Sequence, residues 1–206
     1  LVAATGTEPA EAAAAFDGLR NQAARVPSDD LVAAIGAGLR HQAADVRWRA
    51  LRCAEAVEDS TLVSMIVPFS ADGNVQVRVH AYRALARIGG EQARDAIFGT
   101  ATDHGFRGRA GERVDIAACR ALAGMLDEAS DELMTVAAAY FIEKAGHPHP
   151  HVAATALDAM ARAVAERPLP PEAAERESLL PVWRIRMARA AGGRLDHEHA
   201  MVRAGA

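Results

Sequence analysis

The sequence predicts an all-α protein built from repeated helix pairs, and three observations carry that prediction. Half of the 206 residues are hydrophobic but only 4% are aromatic, and alanine dominates; alanine is the strongest helix former and lets helices approach closely. Strand-like alternation of apolar and polar residues is nearly absent. Most telling, one apolar skeleton recurs. Within Asp72–Gly90 it is Val77, Ala81, Ala84, Leu85 and Ile88, which fall on one stripe of a helix with about 3.6 residues per turn. It returns as Val46, Ala50, Cys53, Ala54, Val57, then as Val114, Ala118, Ala121, Leu122, Met125, and again as Val152, Ala156, Ala159, Met160, Ala163. The four valines lie 31, 37 and 38 residues apart.

The elements follow in order. Residues Glu8–Arg25 form a first helix with Pro9 in its first turn and Ala12, Ala13, Phe16 and Leu19 on its apolar face. Val26-Pro27-Ser28 breaks it. Ser28 is placed to cap the next helix, LVAAIGAGLRH, with Asp29 and Asp30 complementing its N-terminal dipole. The first clear repeat helix runs from Asp45 to about Val57. A turn at Glu58-Asp59-Ser60 leads to its partner, TLVSMIV, which Pro68 ends. Asp72-Gly73-Asn74 is a turn, Val75 to Ile88 is the second repeat helix, and Gly89-Gly90 caps it before EQARDAIFGTAT. A loop over Asp103–Arg113, longer than the other turns, precedes VDIAACRALAGML. After a break at Asp127–Ser130 comes DELMTVAAAYFIEKA, stopped by Gly146. HPHPH opens the fourth unit. Residues 167–172, with three prolines, read as a linker. A helix from about Ala173 to Ala191 is bent near Pro181 and stopped by Gly192-Gly193. Asp196–Arg203 resembles the opening of one more repeat.

Bulk properties narrow the classes. A chain of this length buries roughly 70% of its unfolded surface, and the net charge of −4 is modest. No apolar run approaches the length of a membrane-spanning helix, so no membrane partner is expected. The N-terminus lacks the positive region of a signal peptide and an initiator Met, and a chain that is processed or cut from a longer repeat protein is expected, in a cytoplasmic setting. Cys53 and Cys119 sit in or beside apolar stripes and read as small buried hydrophobes, with a disulfide or reactive thiol as the alternative. Lys144 is the only lysine, a compositional bias toward arginine rather than a functional signal.

Helix pairs opened by an acidic or proline turn and then Val-Arg-x-x-Ala-x-x-Ala-Leu resemble HEAT-like repeats, in the short bacterial form similar to the phycobilisome-lyase type. Asp45-Val46-Arg47, Asp72 to Arg78, and His147-Pro148-His149-Pro150-His151-Val152-Ala153 carry the resemblance. It covers residues 40–165 well and the ends loosely. It implies a right-handed α-solenoid of about five antiparallel helix pairs, a single domain over 1–206, with the first helix of each pair outside and the second lining a concave face. It also implies that Arg47 and Arg78 bond acidic turn residues of a neighbouring repeat. Asp115 and Ala153 stand where that arginine belongs, so the ladder should break there.

The leading functional expectation is a protein–protein interaction or scaffold module that takes a protein or peptide on its second helices. Arg94, Asp95, Asp131, Glu132, Tyr140, Lys144 and Arg184 are the candidate contacts, joined by His104, Arg107 and Arg109 of the glycine-rich loop, since long loops in compact arrays are often functional. Two alternatives stand beside it. An enzyme of HEAT-like fold, a chromophore lyase or a DNA glycosylase, would cast Trp183, Asp115 and Arg184 in its cleft. A nucleic-acid binder would present Arg47, Arg49, Arg52, Arg78, Arg83, Arg87 and Arg120 as a phosphate stripe, against an acidic net charge. The sequence holds no nucleophile elbow, P-loop or dinucleotide fingerprint, and no catalytic residue or cofactor is assigned. The HPHPH and His197/His199 clusters lack helical ligand spacing, and the prolines should point successive histidines apart, so no metal is assigned and HPHPH reads as an inter-repeat turn.

Overall fold

A computed structural model describes residues 8–23, 28–102, 104–126, 129–165, 167 and 181–193. Among them every regular element is helical. The helices are α1 (Pro9–Asn21), α2 (Ser28–Leu39), α3 (Ala44–Val57), α4 (Val63–Ile66), α5 (Val75–Ile88), α6 (Glu91–Ala101), α7 (Gly108–Ala123), α8 (Asp131–Ala145), α9 (Pro150–Ala165) and α10 (Val182–Gly192). The expected linker, the first half of the last predicted helix, and the Asp196–Arg203 repeat opening lie outside the described residues, Arg167 excepted.

The chain divides into two compact units, Leu1–Phe106 and Arg107–Ala206. In the first, α1, α3 and α5 stack side by side in one layer, while α2, α4 and α6 follow one another in a second. In the second, α7 packs on α9 and α8 on α10, again as two layers of successive helices. This is the α-solenoid arrangement that the repeated stripe predicts, in which each helix pair buries its apolar face against its neighbours.

The skeleton is the core. Val46, Ala50, Cys53, Ala54, Val77, Ala81, Ala84, Leu85, Val114, Ala118, Leu122, Val152 and Ala156 are fully buried. The small residues allow close helix approach, and the bulk comes from the second layer and the flanks: Phe16, Leu31, Ile35, Leu62, Ile66, Ile97 and Phe141. Each such side chain contributes roughly 1.5–3 kcal/mol on burial. Gly38 marks the tightest approach: a Cβ there would run into the Phe16 ring and lie 2.9 Å from Ala50.

Two elements differ from expectation. The partner α-helix of the first repeat stops just before Pro68, as expected, but it is shorter and the chain stays helical. The segment becomes a chain of short helices, a 3₁₀ turn Ser60–Leu62, then α4, then a 3₁₀ stretch Val67–Ala71 with Pro68 in its first turn. A proline has no N–H to donate but fits the first turn of a new helix, so the chain tightens there and continues. The expected long loop Asp103–Arg113 is mostly helix. Gly105 and Gly108 adopt positive φ of 72° and 56°, and α7 begins at Gly108, six residues before its anchor Val114, whereas α5 begins two residues before Val77. The wider anchor spacing is thus absorbed by additional helix, and Gly111 is buried within it.

Elsewhere the punctuation matches. The Asn74 side chain accepts from the backbone N–H of Gln76 and Val77 at 2.9 and 3.3 Å and caps α5. Gly89 and Gly90 take φ of 81° and 90° and end it. Ser130 caps α8 by accepting from Leu133 N–H.

Candidate partner-binding surface

The arginines that follow the anchor valines work inward. Arg47 meets the Asp72 carboxylate with Nε at 3.2 Å and Nη2 at 3.1 Å, and donates from Nη1 to the carbonyls of His41 and Gln42. Arg78 donates to the Asp72 carbonyl at 3.1 Å and to the His104 carbonyl at 3.2 Å, with its guanidinium 5.0 Å from the Phe106 ring centroid. Each arginine therefore ties its own turn to the next one; Arg47 does so through an acidic turn residue, as the resemblance implies, and Arg78 through the His104 carbonyl instead. Arg49 and Arg52 pair with Asp17, and Arg49 also with Asp45; Arg87 meets Glu58 at 2.6 Å. The hydrogen bond from Arg49 holds the Asp45 carboxyl below the usual carboxylate range, against the opposing effect of burial. Most of the arginine stripe is therefore committed to carboxylates and carbonyls of its own unit.

The ladder does not simply break at Asp115. Asp115 is buried and its Oδ1 lies 2.9 Å from Lys144 Nζ, so the charges exchange places: the anchor helix supplies the acid and the second helix the base. Burial works against the charge on Lys144, but the hydrogen bond and charge of Asp115, then of Glu143 at 3.2 Å, outweigh it and raise its pKa. At the next rung Ala153 is fully buried and apolar.

This corrects two of the expected contacts. Lys144 and Tyr140 were expected to be exposed, but they are 8% and 4% exposed. They share a face of α8 turned into the unit, with Lys144 Nζ 5.4 Å from the Tyr140 ring. The only lysine is thus a buried ion-pair member rather than a surface handle. Cys119 lies one turn past Asp115, and burial, then the Asp115 charge, push its thiol up to about 12; burial lifts Cys53 to about 12 as well. Both cysteines are free, buried and protonated.

Arg184 is half-buried. It donates to the Arg167 and Val164 carbonyls at 2.6 and 3.0 Å and so closes the end of α9. Trp183 is 2% exposed, with Nε1 directed at Asp131 Oδ1 at 3.3 Å. Trp183, Asp115 and Arg184, the trio that a glycosylase cleft would need, are therefore each held by an internal partner.

The other expected contacts stay at the surface. On α6 Asp95 is exposed, and Arg94 lies between Glu91 at 3.6 Å and Asp95 at 3.4 Å. In the second unit Asp131 and Glu132 are exposed in the first turn of α8, Asp131 also meeting Arg167 at 3.6 Å. His104 is partly exposed, its ring tilted against Phe106. Arg107 and Arg109 are exposed in the second unit, at the start of α7.

Sequence reasoning passed over one feature. Glu132, Val136, Ala139 and Glu143 form an exposed row along α8 at helical spacing. Val136 is 51% exposed and Val182, at the start of the neighbouring α10, is 66% exposed; these are the large hydrophobics most open to solvent among the described residues. The run Leu133–Ile142 is apolar almost all round its helix, so periodicity alone could not show which of its residues faces out.

The histidines also rearrange. His149 and His151 stack at 5.5 Å instead of pointing apart, because α9 begins at Pro150 and the backbone turns between them. His149 Nε2 lies 3.5 Å from Glu112. Among the described residues no three His, Cys, Asp or Glu side chains are grouped to hold a metal ion, and no helix is long and apolar enough to cross a membrane.

The family model for HEAT repeats matches residues 32–112. Residues 32–112 are therefore similar to HEAT repeats. They run from α2 to the first turns of α7 and include both arginine rungs. No curated protein is similar enough to this chain to count as a match. HEAT repeats commonly mediate protein–protein interaction.

Proposed function

We propose that the chain is a protein-binding module whose second-layer helices take the partner: Arg94 and Asp95 on α6 in the first unit, and Asp131, Glu132 and Val136 on α8 with Val182 on α10 in the second. His104 in the first unit and Arg107 and Arg109 in the second are further candidate contacts in the same reading. The observation that supports it most is the α8 row, where an exposed valine and alanine lie between two exposed carboxylates, Glu132 and Glu143. Such a strip suits a partner segment that offers an apolar side chain flanked by basic residues. Inside the second unit Asp115 and Lys144 are buried and paired with each other, and Cys119 is buried beside them, which also favours binding over catalysis.

The test is affinity capture read by mass spectrometry with the wild type and with Val136→Glu/Glu132→Lys. Both changes lie on an exposed helix face and leave the core untouched. A protein captured by the wild type and lost by the variant supports the proposal. The same proteins captured by both forms, or nucleic acid alone, overturns it.

A further inference from the structure

Four turns lead into the anchor helices, and one position in each does the same job. In the turn before α5, Asp72 Oδ1 accepts from the backbone N–H of Asn74, two residues on, at 2.7 Å. In the other three turns a histidine takes that place. His41 Nδ1 accepts from Ala43 N–H at 3.0 Å, His104 Nδ1 from Phe106 N–H at 3.2 Å, and His147 Nδ1 from His149 N–H at 3.0 Å. The first two lie in the first unit and the third in the second.

We propose that these three histidines are a proton-sensitive lock on the turns between repeats. The geometry fixes the tautomer, since a backbone N–H can only donate and Nδ1 must therefore carry its lone pair. Protonation places an N–H on that atom. The acceptor is lost, a backbone N–H is left facing another donor, and the turn opens. The unfolded or opened chain takes up the same proton without losing a hydrogen bond, so acid favours opening. Histidine is the side chain type that exchanges a proton under mildly acidic conditions, whereas an aspartate in this role stays an acceptor there.

The neighbouring charges strengthen the lock in the first unit. Arg47 of α3 donates to the His41 carbonyl while paired to Asp72, and Arg78 of α5 donates to the His104 carbonyl and lies over Phe106. Protonating either ring adds a second positive charge beside a guanidinium. At His147 the groups nearby are His149, which reaches Glu112 of α7, the stacked His151, and Lys144, whose carbonyl accepts from His147 N–H. Because Arg47 and Arg78 link each turn to the next, opening one turn loosens the register of its neighbour.

The test is amide hydrogen exchange by NMR between about pH 7.5 and about pH 5.5, using the wild type and His41→Asp/His104→Asp/His147→Asp. In the wild type the protection factors at Ala43, Phe106 and His149 should fall about fivefold, the factor that one net hydrogen bond carries, while Asn74, held by Asp72, keeps its protection. In the triple variant all four amides should keep it. The three single variants serve if the triple does not fold, each abolishing the response at its own turn. Unchanged protection in the wild type, or an equal fall in the variants, overturns the proposal.

Discussion

Lys144 Nζ sits 2.9 Å from Asp115 Oδ1, with both side chains about nine-tenths buried. It joins α7 to α8 where the repeat pattern would have placed an arginine. Removing one partner leaves a buried charge uncompensated. Lys144→Met should therefore cost about 3–5 kcal/mol in chemical denaturation, and Asp115→Leu/Lys144→Met much less than either single change. The pH dependence has a definite sign. The folded-state pKa of Lys144 is raised, so its contribution is complete below the unfolded value of about 10.4 and is lost as pH rises through the folded value.

Asp72 does three things at once: its carboxylate binds Arg47, its Oδ1 accepts from Asn74 N–H, and its carbonyl accepts from Arg78. Asp72→Ala removes the first two and should cost about 1.5–3 kcal/mol. Asp72→Asn keeps the turn acceptor and should cost less. Urea denaturation of both variants gives the comparison.

Ala84→Arg would force a guanidinium into a fully buried position on α5 and should cost more than about 4 kcal/mol. Circular dichroism should show loss of the cooperative melt. An unchanged melting temperature would mean that the repeat register is wrong.

Gly38→Ala should cost about 1–3 kcal/mol by overpacking, since the new methyl meets the buried Phe16 ring and Ala50. Gly18, with open space around its Cβ position, should accept alanine with no loss in the same thermal-melt assay.

Cys53 and Cys119 should resist a thiol-specific reagent at about pH 8 in the native protein, because burial both hides them and pushes each thiol up to about 12. Both should react promptly in denaturant.

Much of this fold was legible because helix packing follows period. The valine-anchored stripe named the buried faces of α3, α5, α7 and α9, while Asp72, Asn74 and Gly89 marked the ends of α5 and Gly146 the end of α8 through turn and cap chemistry. The mistakes have physical causes. Gly105, Gly108 and Gly111 read as a loop, but Gly108 opens α7 and Gly111 is buried inside it. Pro68 read as a stop, and α4 does end before it, but proline also suits the first turn of the 3₁₀ stretch that follows. The surface was harder to read. Tyr140 and Lys144 are polar, which suggested exposure, but their place on α8 turns them toward Asp115. Val136 is apolar and faces out, while Ala137 and Ala138 beside it are buried. On a helix apolar nearly all round, only the packing of neighbours decides the face.

The central claim, that the second-layer helices carry the partner, is tested most directly by photo-crosslinking in lysate from single sites. A photoreactive residue at Val136 or Asp95 samples the second layer, and one at Arg83 or Arg87 samples the exposed side of α5 in the first. One protein adduct, shared by Val136 and Asp95 or specific to one of them, is expected, and none from α5. An adduct formed from Arg83 or Arg87 alone would contradict it.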